Sequence, residues 1–338
     1  MKISAQELTK LVAAVLQHAG AHEVMAQTTA NALVLAESQG IGSHGLSRVN
    51  QYATHLRNGR VDGQAKPSVI KRKGGALLID AKEGLAFEAC QLAVTEAVLA
   101  ANEFGVAFSG VIRSHHCGVL VDHLRDVAKA GMVGIGFSNS PAAMPAAGGH
   151  HPIFGTDPIA AIFPRRDKTP LMIDLSLSEV ARGKLMVAAK EGKTIPKGWA
   201  LDVEGNPTTD PKAGLTGSML PFGSGENASP KGAMLALMVE LLVTAVIGAK
   251  FGFEASSFFV DEGNRPGLGQ VFIVIDPEAL AGQGHFFDRI EQLINEMLKD
   301  EAVRLPGVRR EALRLKTFSD GFDVPDELVT TWKSVLSN

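Results

Sequence analysis

Gly131-Met132-Val133-Gly134-Ile135-Gly136 decides which kind of α/β fold this chain can adopt. In a dinucleotide-binding fold, glycines in such a run follow a strand and open a helix, where backbone approaches a pyrophosphate. Here they lead into a strand, Val133–Ser138, and read as close packing at its start. No G-x-G-x-x-G follows a strand, and neither a G-x-x-x-x-G-K-[ST] loop nor a G-x-S-x-G elbow is present. A Rossmann site, a P-loop and a hydrolase elbow therefore lack support.

Outward from that run, Ala76–Asp80, Val106–Ile112, Ile159–Phe163, Leu171–Leu175 and Val271–Ile275 read as buried strands. Helical spacing predicts helices over Phe87–Phe104, Leu120–Lys129, Glu179–Ala189 and His285–Lys299. Alternation of strand and helix implies an α/β core. The first 60 residues are mostly helical: a Ser4/Glu7 capping box precedes Leu8, Leu11, Val12, Val15 and Leu16. A second helix spans about Glu23–Ser38, and a third is predicted from His44 through Tyr52 and Leu56 to Asn58-Gly59. Leu313–Asn338 is again helical. The division expected is a helical part of residues 1–65, with about 225–250 and 305–338, beside an α/β core of residues 66–304.

The bulk numbers exclude several classes of function. A formal net charge of -3, no dense basic run and 6% aromatic residues argue against a nucleic-acid surface. Two cysteines, Cys90 and Cys117, fit a reducing compartment rather than a disulfide framework. Residues 1–20 carry no signal-peptide core. The longest apolar run, Ala233–Gly248, contains Glu240 and is too short for a membrane span, so a buried helix is expected there. A soluble cytoplasmic protein is the expectation.

Ser43-His44-Gly45-Leu46-Ser47-Arg48 brings together a hydroxyl, an imidazole that moves protons near neutral pH and a guanidinium that can grip a carboxylate. On a helix, His44 and Arg48 share a face. The same stretch reads equally well as a helix start with Ser43 as N-cap. Arg113-Ser114-His115-His116-Cys117-Gly118 lies between a strand and a helix, where α/β proteins place ligands. His115, His116, His123 and Cys117 show no metal-ligand spacing, so no metal is expected. In Gly155-Thr156-Asp157-Pro158, Thr156 could contact a substrate, but Asp157 reads better as a turn cap. Asp174 could receive sugar hydroxyls, with Ser178 an N-cap. Lys231 could meet a phosphate or be an ordinary solvated lysine. Trp199–Gly225 is too long and polar for a simple connector.

Taken in order, these segments resemble the malate/L-lactate dehydrogenase type 2 family across nearly the whole chain. The matching pieces are Ser43-His44-Gly45 with Arg48, Ser114-x-His116, Gly148-Gly149, Gly155-Thr156-x-Pro158, Asp174-Leu175-x-x-Ser178, Gly198–Asp202, Gly205–Asp210, Leu220–Gly223, Lys231-Gly232 and Pro306-Gly307-x-Arg309-Arg310. The resemblance implies a non-Rossmann mixed sheet with helices from both chain ends, an NAD(P)-dependent oxidoreductase with NADPH favoured over NADH, and a homodimer. It implies that His44 is the proton donor and acceptor, Ser43 its relay partner and Arg48 the carboxylate clamp, with Thr156, Arg182 and Gly183 lining the substrate. Facing the cofactor would be His116, Cys117, Gly118, Val119 and Leu120; Asp174, Leu175 and Ser176; Lys231; and Pro306, Gly307, Arg309 and Arg310. Around Gly198–Gly223 and Glu254–Gln270 the chain is most similar to reductases of cyclic imino acids. Reduction of Δ1-pyrroline-2-carboxylate or Δ1-piperideine-2-carboxylate is therefore expected, the alternative being a 2-hydroxyacid dehydrogenase. Two departures stand out: Lys184 sits where such reductases carry an aspartate behind the serine, and Ser224–Pro230 lengthens the loop before Lys231.

Overall fold

The computed structural model describes residues 1–224 and 229–337. Seven strands form one mixed sheet: β1 (Ser68–Lys73), β2 (Ala76–Asp80), β3 (Val106–Ser114), β4 (Val133–Ser138), β5 (Ile159–Arg165), β6 (Lys168–Leu175) and β7 (Leu268–Ile275). Their order is β1-β2-β3-β7-β4-β5-β6. Only β2 and β3 pair in parallel. The last of these seven strands in sequence enters the middle, setting Phe272 opposite Ser109 on one side and Gly136 on the other. The glycines of β4 serve close packing: a Cβ on Gly134 would lie 3.1 Å from Leu124, and one on Gly136 3.3 Å from Leu120.

Helices α1 (Ala5–His18), α2 (Glu23–Ser38) and α3 (Val49–Arg57) begin the chain, and Ser4 and Glu7 cap α1 reciprocally as expected. α4 (Ala86–Phe104) buries Ala86, Ala89, Cys90, Ala93 and Ala97 against Leu77, Ile79, Val111 and Phe272 of the sheet. That small-residue face lets the helix lie close, and left-handed Gly105 ends it. Further along come α5 (Arg182–Glu191), α6 (Lys231–Leu241), α7 (Gln283–Met297), α8 (Val308–Asp320) and α9 (Asp326–Ser337). Both chain ends meet in one core, where Phe322, Val324, Val329 and Trp332 pack with Leu8, Leu16, Leu33 and Tyr52. Lys2–Ile3 pairs with Phe322–Asp323 to close it.

Several expectations need correction. The third helix does not begin at His44. Two 3-10 turns, Gly42–His44 and Leu46–Arg48, come first, separated by Gly45. A Cβ at Gly45 would meet Glu37 Oε2 at 2.3 Å and Glu37 N at 3.0 Å, so the chain must turn tightly against α2. His44 and Arg48 thus share a loop rather than a helix face, and Ser43 is not an N-cap. Leu120–Lys129 splits into a 3-10 turn, Leu120–Leu124, and a single α-turn, Arg125–Lys129. Helix α5 starts later than expected because residues 177–179 are held extended: the Leu177 and Glu179 amides donate to Thr156 O and Leu220 O, and Ser178 pairs with Pro221. Its N-cap is Ala181, while the Ser178 hydroxyl donates to Val180 O.

Residues from Lys231 to Ile247, expected with the helical part, pack instead on the sheet. Ala236, Val239, Val243 and Ile247 cover Phe137 and Val271. This helix is not fully buried either, since Met234, Leu237, Met238, Leu241 and Val246 remain exposed. An apolar helix seeks cover all round, and the sheet covers one side. The lengthened loop at 224–230 lies mostly outside the described residues. No helix among them is long and apolar enough to cross a membrane.

Candidate active site

A cleft of about 750 Å³ opens where the Gly42–Arg48 turns, the strand ends of the sheet and the N-terminus of α5 converge. Its lining includes Ser43, His44, Arg48, His116, Cys117, Gly118, Val119, Leu120, Thr156, Asp174, Leu175, Ser176, Arg182, Gly183 and Arg310. Of the residues expected to act on substrate or face the cofactor, Lys231, Pro306, Gly307 and Arg309 lie outside this lining. Lys231 is exposed at the start of α6. Pro306 and Gly307 pack on β6, where Met172 N donates to Pro306 O at 3.2 Å. Arg309 is exposed on α8.

Ser43 Oγ and His44 Nδ1 are 3.0 Å apart. With the Nδ1 proton donated to Ser43, Nε2 carries a free lone pair. Burial, aided by the nearby cations Arg48 and Arg310, lowers the His44 pKa from 6.5 to about 4, so the imidazole is neutral at pH 7. Arg48 is held from behind: its Nε donates to Ser43 O at 2.7 Å and its Nη1 to Gln51 Oε1 at 2.7 Å. Both Arg48 and Arg182 lie over the ring of Phe259, at 5.1 and 5.6 Å from its centre. Neither guanidinium meets a carboxylate among the described residues. Burial pulls the pKa of each below the ordinary arginine value.

Tyr52 Oη lies 2.5 Å from His116 Nδ1. Burial raises the phenol pKa and lowers that of His116, so a neutral phenol donates to a neutral imidazole. Burial pushes the Cys117 thiol up to about 11, which excludes a thiolate nucleophile. Asp174 accepts from Val121 N at 3.3 Å and from Arg310 at 3.4 Å, while burial raises its pKa to about 6. Among the described residues, no three His, Cys, Asp or Glu side chains converge as for a metal. His115, His116 and His123 each take a different partner: His55, Tyr52 and Cys117 O.

Thr156 faces the cleft and its amide donates to Ser140 Oγ at 3.0 Å. Asp157 is no surface turn cap. It is fully buried with positive φ, and neither carboxyl oxygen finds a partner. Lys184 lies over Trp199, 5.8 Å from its ring centre, and is absent from the cleft wall. Among the described residues, the Ser43 hydroxyl is paired with His44 and with no carboxylate. Sequence reasoning missed Phe258 and Phe259. The signal was there: two adjacent aromatics in a polar stretch of an aromatic-poor chain.

The model of malate/L-lactate dehydrogenases matches residues 3–333. The chain belongs to the malate/L-lactate dehydrogenase family. It is an NAD(P)-dependent oxidoreductase acting on a small molecule. A (2R)-3-sulfolactate dehydrogenase (NADP(+)) of Chromohalobacter salexigens is 45% identical over 97% of this chain and 96% of that protein. A Δ1-pyrroline-2-carboxylate/Δ1-piperideine-2-carboxylate reductase of Pseudomonas putida is 34% identical over 99% of this chain and 97% of that protein. The crystal structure of Δ1-piperideine-2-carboxylate reductase from Pseudomonas syringae superposes with a TM-score of 0.92 at 32% identity, covering 99% of both chains. The mixed sheet is thus the fold of this dehydrogenase family.

Proposed function

We propose that this family member oxidises a small 2-hydroxy acid that carries a second anionic group, of the 3-sulfolactate type. The observation that carries the reading is the pair of carboxylate-free guanidiniums, Arg48 and Arg182, sharing Phe259 in one cleft. Two half-buried cations with no carboxylate partner among the described residues call for a substrate with two negative ends. The 45% identity to a sulfolactate dehydrogenase points the same way.

The cleft fits a nicotinamide cofactor in size and in chemistry. Asp174 would accept hydrogen bonds from ribose hydroxyls, and Arg310 beside it would face phosphate. When bound, the oxidised nicotinamide supplies the acceptor for hydride from substrate C2. Arg48 pairs with the carboxylate and Arg182 with the second anion, which fixes C2 and removes orientational freedom. Neutral His44 takes the hydroxyl proton on Nε2 as the C2–H electron pair departs, and C2–O becomes a carbonyl. Ser43 holds the imidazole by its other nitrogen.

Reduction of a cyclic imino acid is the second reading, favoured by the likeness to the Pseudomonas syringae reductase. It would use the same His44 and Arg48 but leave Arg182 unpaired. Initial rates with 3-sulfolactate, malate and lactate, each with NADP+ and NAD+, and with Δ1-piperideine-2-carboxylate and NADPH, separate the readings. The dianions are expected to lead, and Arg182→Gln to remove their advantage over lactate. A preference for the cyclic imine would overturn the assignment.

We also infer a homodimer, on the exposed apolar side of α6.

A further inference from the structure

Residues 255–267 run from the Gly252–Glu254 turn to β7 with no helix or strand. Their carbonyls need donors from elsewhere. Side chains of α3 and of the turn after it supply them. Gln51 donates to Phe258 O, His55 Nε2 lies 3.1 Å from Val260 O, and Asn58 donates to Asp261 O at 3.2 Å. Arg60 does most: it donates to Ser256 O and Ser257 O at 3.2 Å each, to Asn264 O at 3.3 Å, and to Val260 O. Arg60 is 2% exposed. Its charge is met by carbonyl dipoles, with Asp261 attracting it only from a distance.

A hydrophobic side chain would avoid burying a cation but would leave those carbonyls without donors. What an arginine adds is five donors in a rigid plane, enough to grip four carbonyls of one irregular segment. The gripped segment is the aromatic wall of the cleft. Phe258 packs on His115 and His116, with ring centres 5.0 and 5.2 Å away, and Phe259 lies beneath Arg48 and Arg182. The clamp also reaches the proton-handling side: Gln51 holds both Phe258 O and Arg48.

We propose that Arg60 is a positioning residue for the substrate. It clamps the 255–267 strap so that Phe259 fixes the two cations at the spacing the acid must match. The proposal rests on reading the cleft as the acid site. Phe259 is 44% exposed, so its place under two guanidiniums depends on the strap's backbone rather than on core packing.

The test compares Arg60→Lys and Phe259→Leu with the wild type, using whichever acid the wild type turns over. Lysine keeps the charge but cannot span four carbonyls. KM for the acid is expected to rise about tenfold or more, the scale of one lost charge-assisted hydrogen bond, with kcat and the NADP(H) Kd nearly unchanged. Phe259→Leu, which leaves the core intact, is expected to raise KM in the same way. Added guanidinium ion is expected to restore KM in Arg60→Gly, an effect that general loss of stability does not produce. A lowered Tm with unchanged KM in Arg60→Lys overturns the proposal. Should the wild type turn over no acid, the functional reading fails instead. The clamp is then judged by hydrogen exchange: Arg60→Lys must deprotect 255–267 selectively, and uniform exchange refutes it.

Discussion

In the free enzyme His44 should titrate far below an ordinary histidine, and the pH dependence of catalysis should carry that mark. The cleft lowers its pKa from 6.5 to about 4. At about 1.4 kcal/mol per tenfold change, that is a bias of roughly 3 kcal/mol toward the neutral ring, leaving about one molecule in a thousand protonated at pH 7. For 2-hydroxy acid oxidation, which needs the neutral base, kcat/KM on the acid side is governed by the free enzyme. The His44 contribution should stay flat down to about pH 5 and fall tenfold per unit below 4. The sign for stability follows from the lowered folded-state value: the contribution is present above 6.5 and is lost as pH falls from 6.5 to about 4. In kcat/KM, Asp174, raised to about 6, adds a separate acid limb near pH 6 because its ionised form accepts the ribose hydroxyls; Asp174→Asn should remove that limb while leaving the lower one. The Asp174 contribution to stability has the opposite sign, being lost as pH rises through about 6. Initial rates across pH, with NMR titration of the imidazole carbon-bound protons, measure both. A His44 pKa near 6.5 in the free enzyme would refute the reasoning, because burial and two arginines could not then be acting on it.

Two further outcomes are expected. Burial beside Glu240 raises the Asp157 carboxyl, so wild-type stability should decline as pH rises through that raised value, by up to about 1.4 kcal/mol per pH unit; Asp157→Asn should flatten the slope in urea unfolding from pH 5 to 9, and an unchanged slope would place the titration elsewhere. Met238→Glu with Leu241→Glu, on the exposed side of α6, should shift sedimentation from dimer to monomer; an unaltered sedimentation coefficient would remove that face as the interface.

The sheet was largely legible because its central strands are buried on both faces and read as apolar runs. β4 matches its expected bounds, and β7 its core. β1 was not legible. Ser-Val-Ile-Lys-Arg-Lys carries the charges of an exposed edge strand, and charge that deters edge pairing also hides the strand. The His44 loop defeated helical spacing for a local reason, the closeness of Gly45 to Glu37. Thr156 and Asp157 were placed on the right turn, but their faces depend on tertiary packing: one points into the cleft, the other into the core. Arg60, His55 and the Phe258-Phe259 pair meet only through contacts about 200 positions apart, beyond any local pattern.

Lys184 marked in the sequence a missing carboxylate behind Ser43, and the geometry turns that absence into part of the chemistry. A relay carboxylate would stabilise an imidazolium before any substrate arrives. Here the charges around His44 are Arg48 and Arg310, and both oppose protonation. In the proposed reaction the substrate's own carboxylate, seated on Arg48, offsets that repulsion. The imidazolium formed as the hydroxyl proton moves is then tolerated only with the acid in place. Such a base stays neutral while waiting and gains proton affinity on binding. Arg48→Gln should accordingly raise the His44 pKa in the free enzyme and blunt its response to substrate, although burial, the larger cause, still holds it below 6.5.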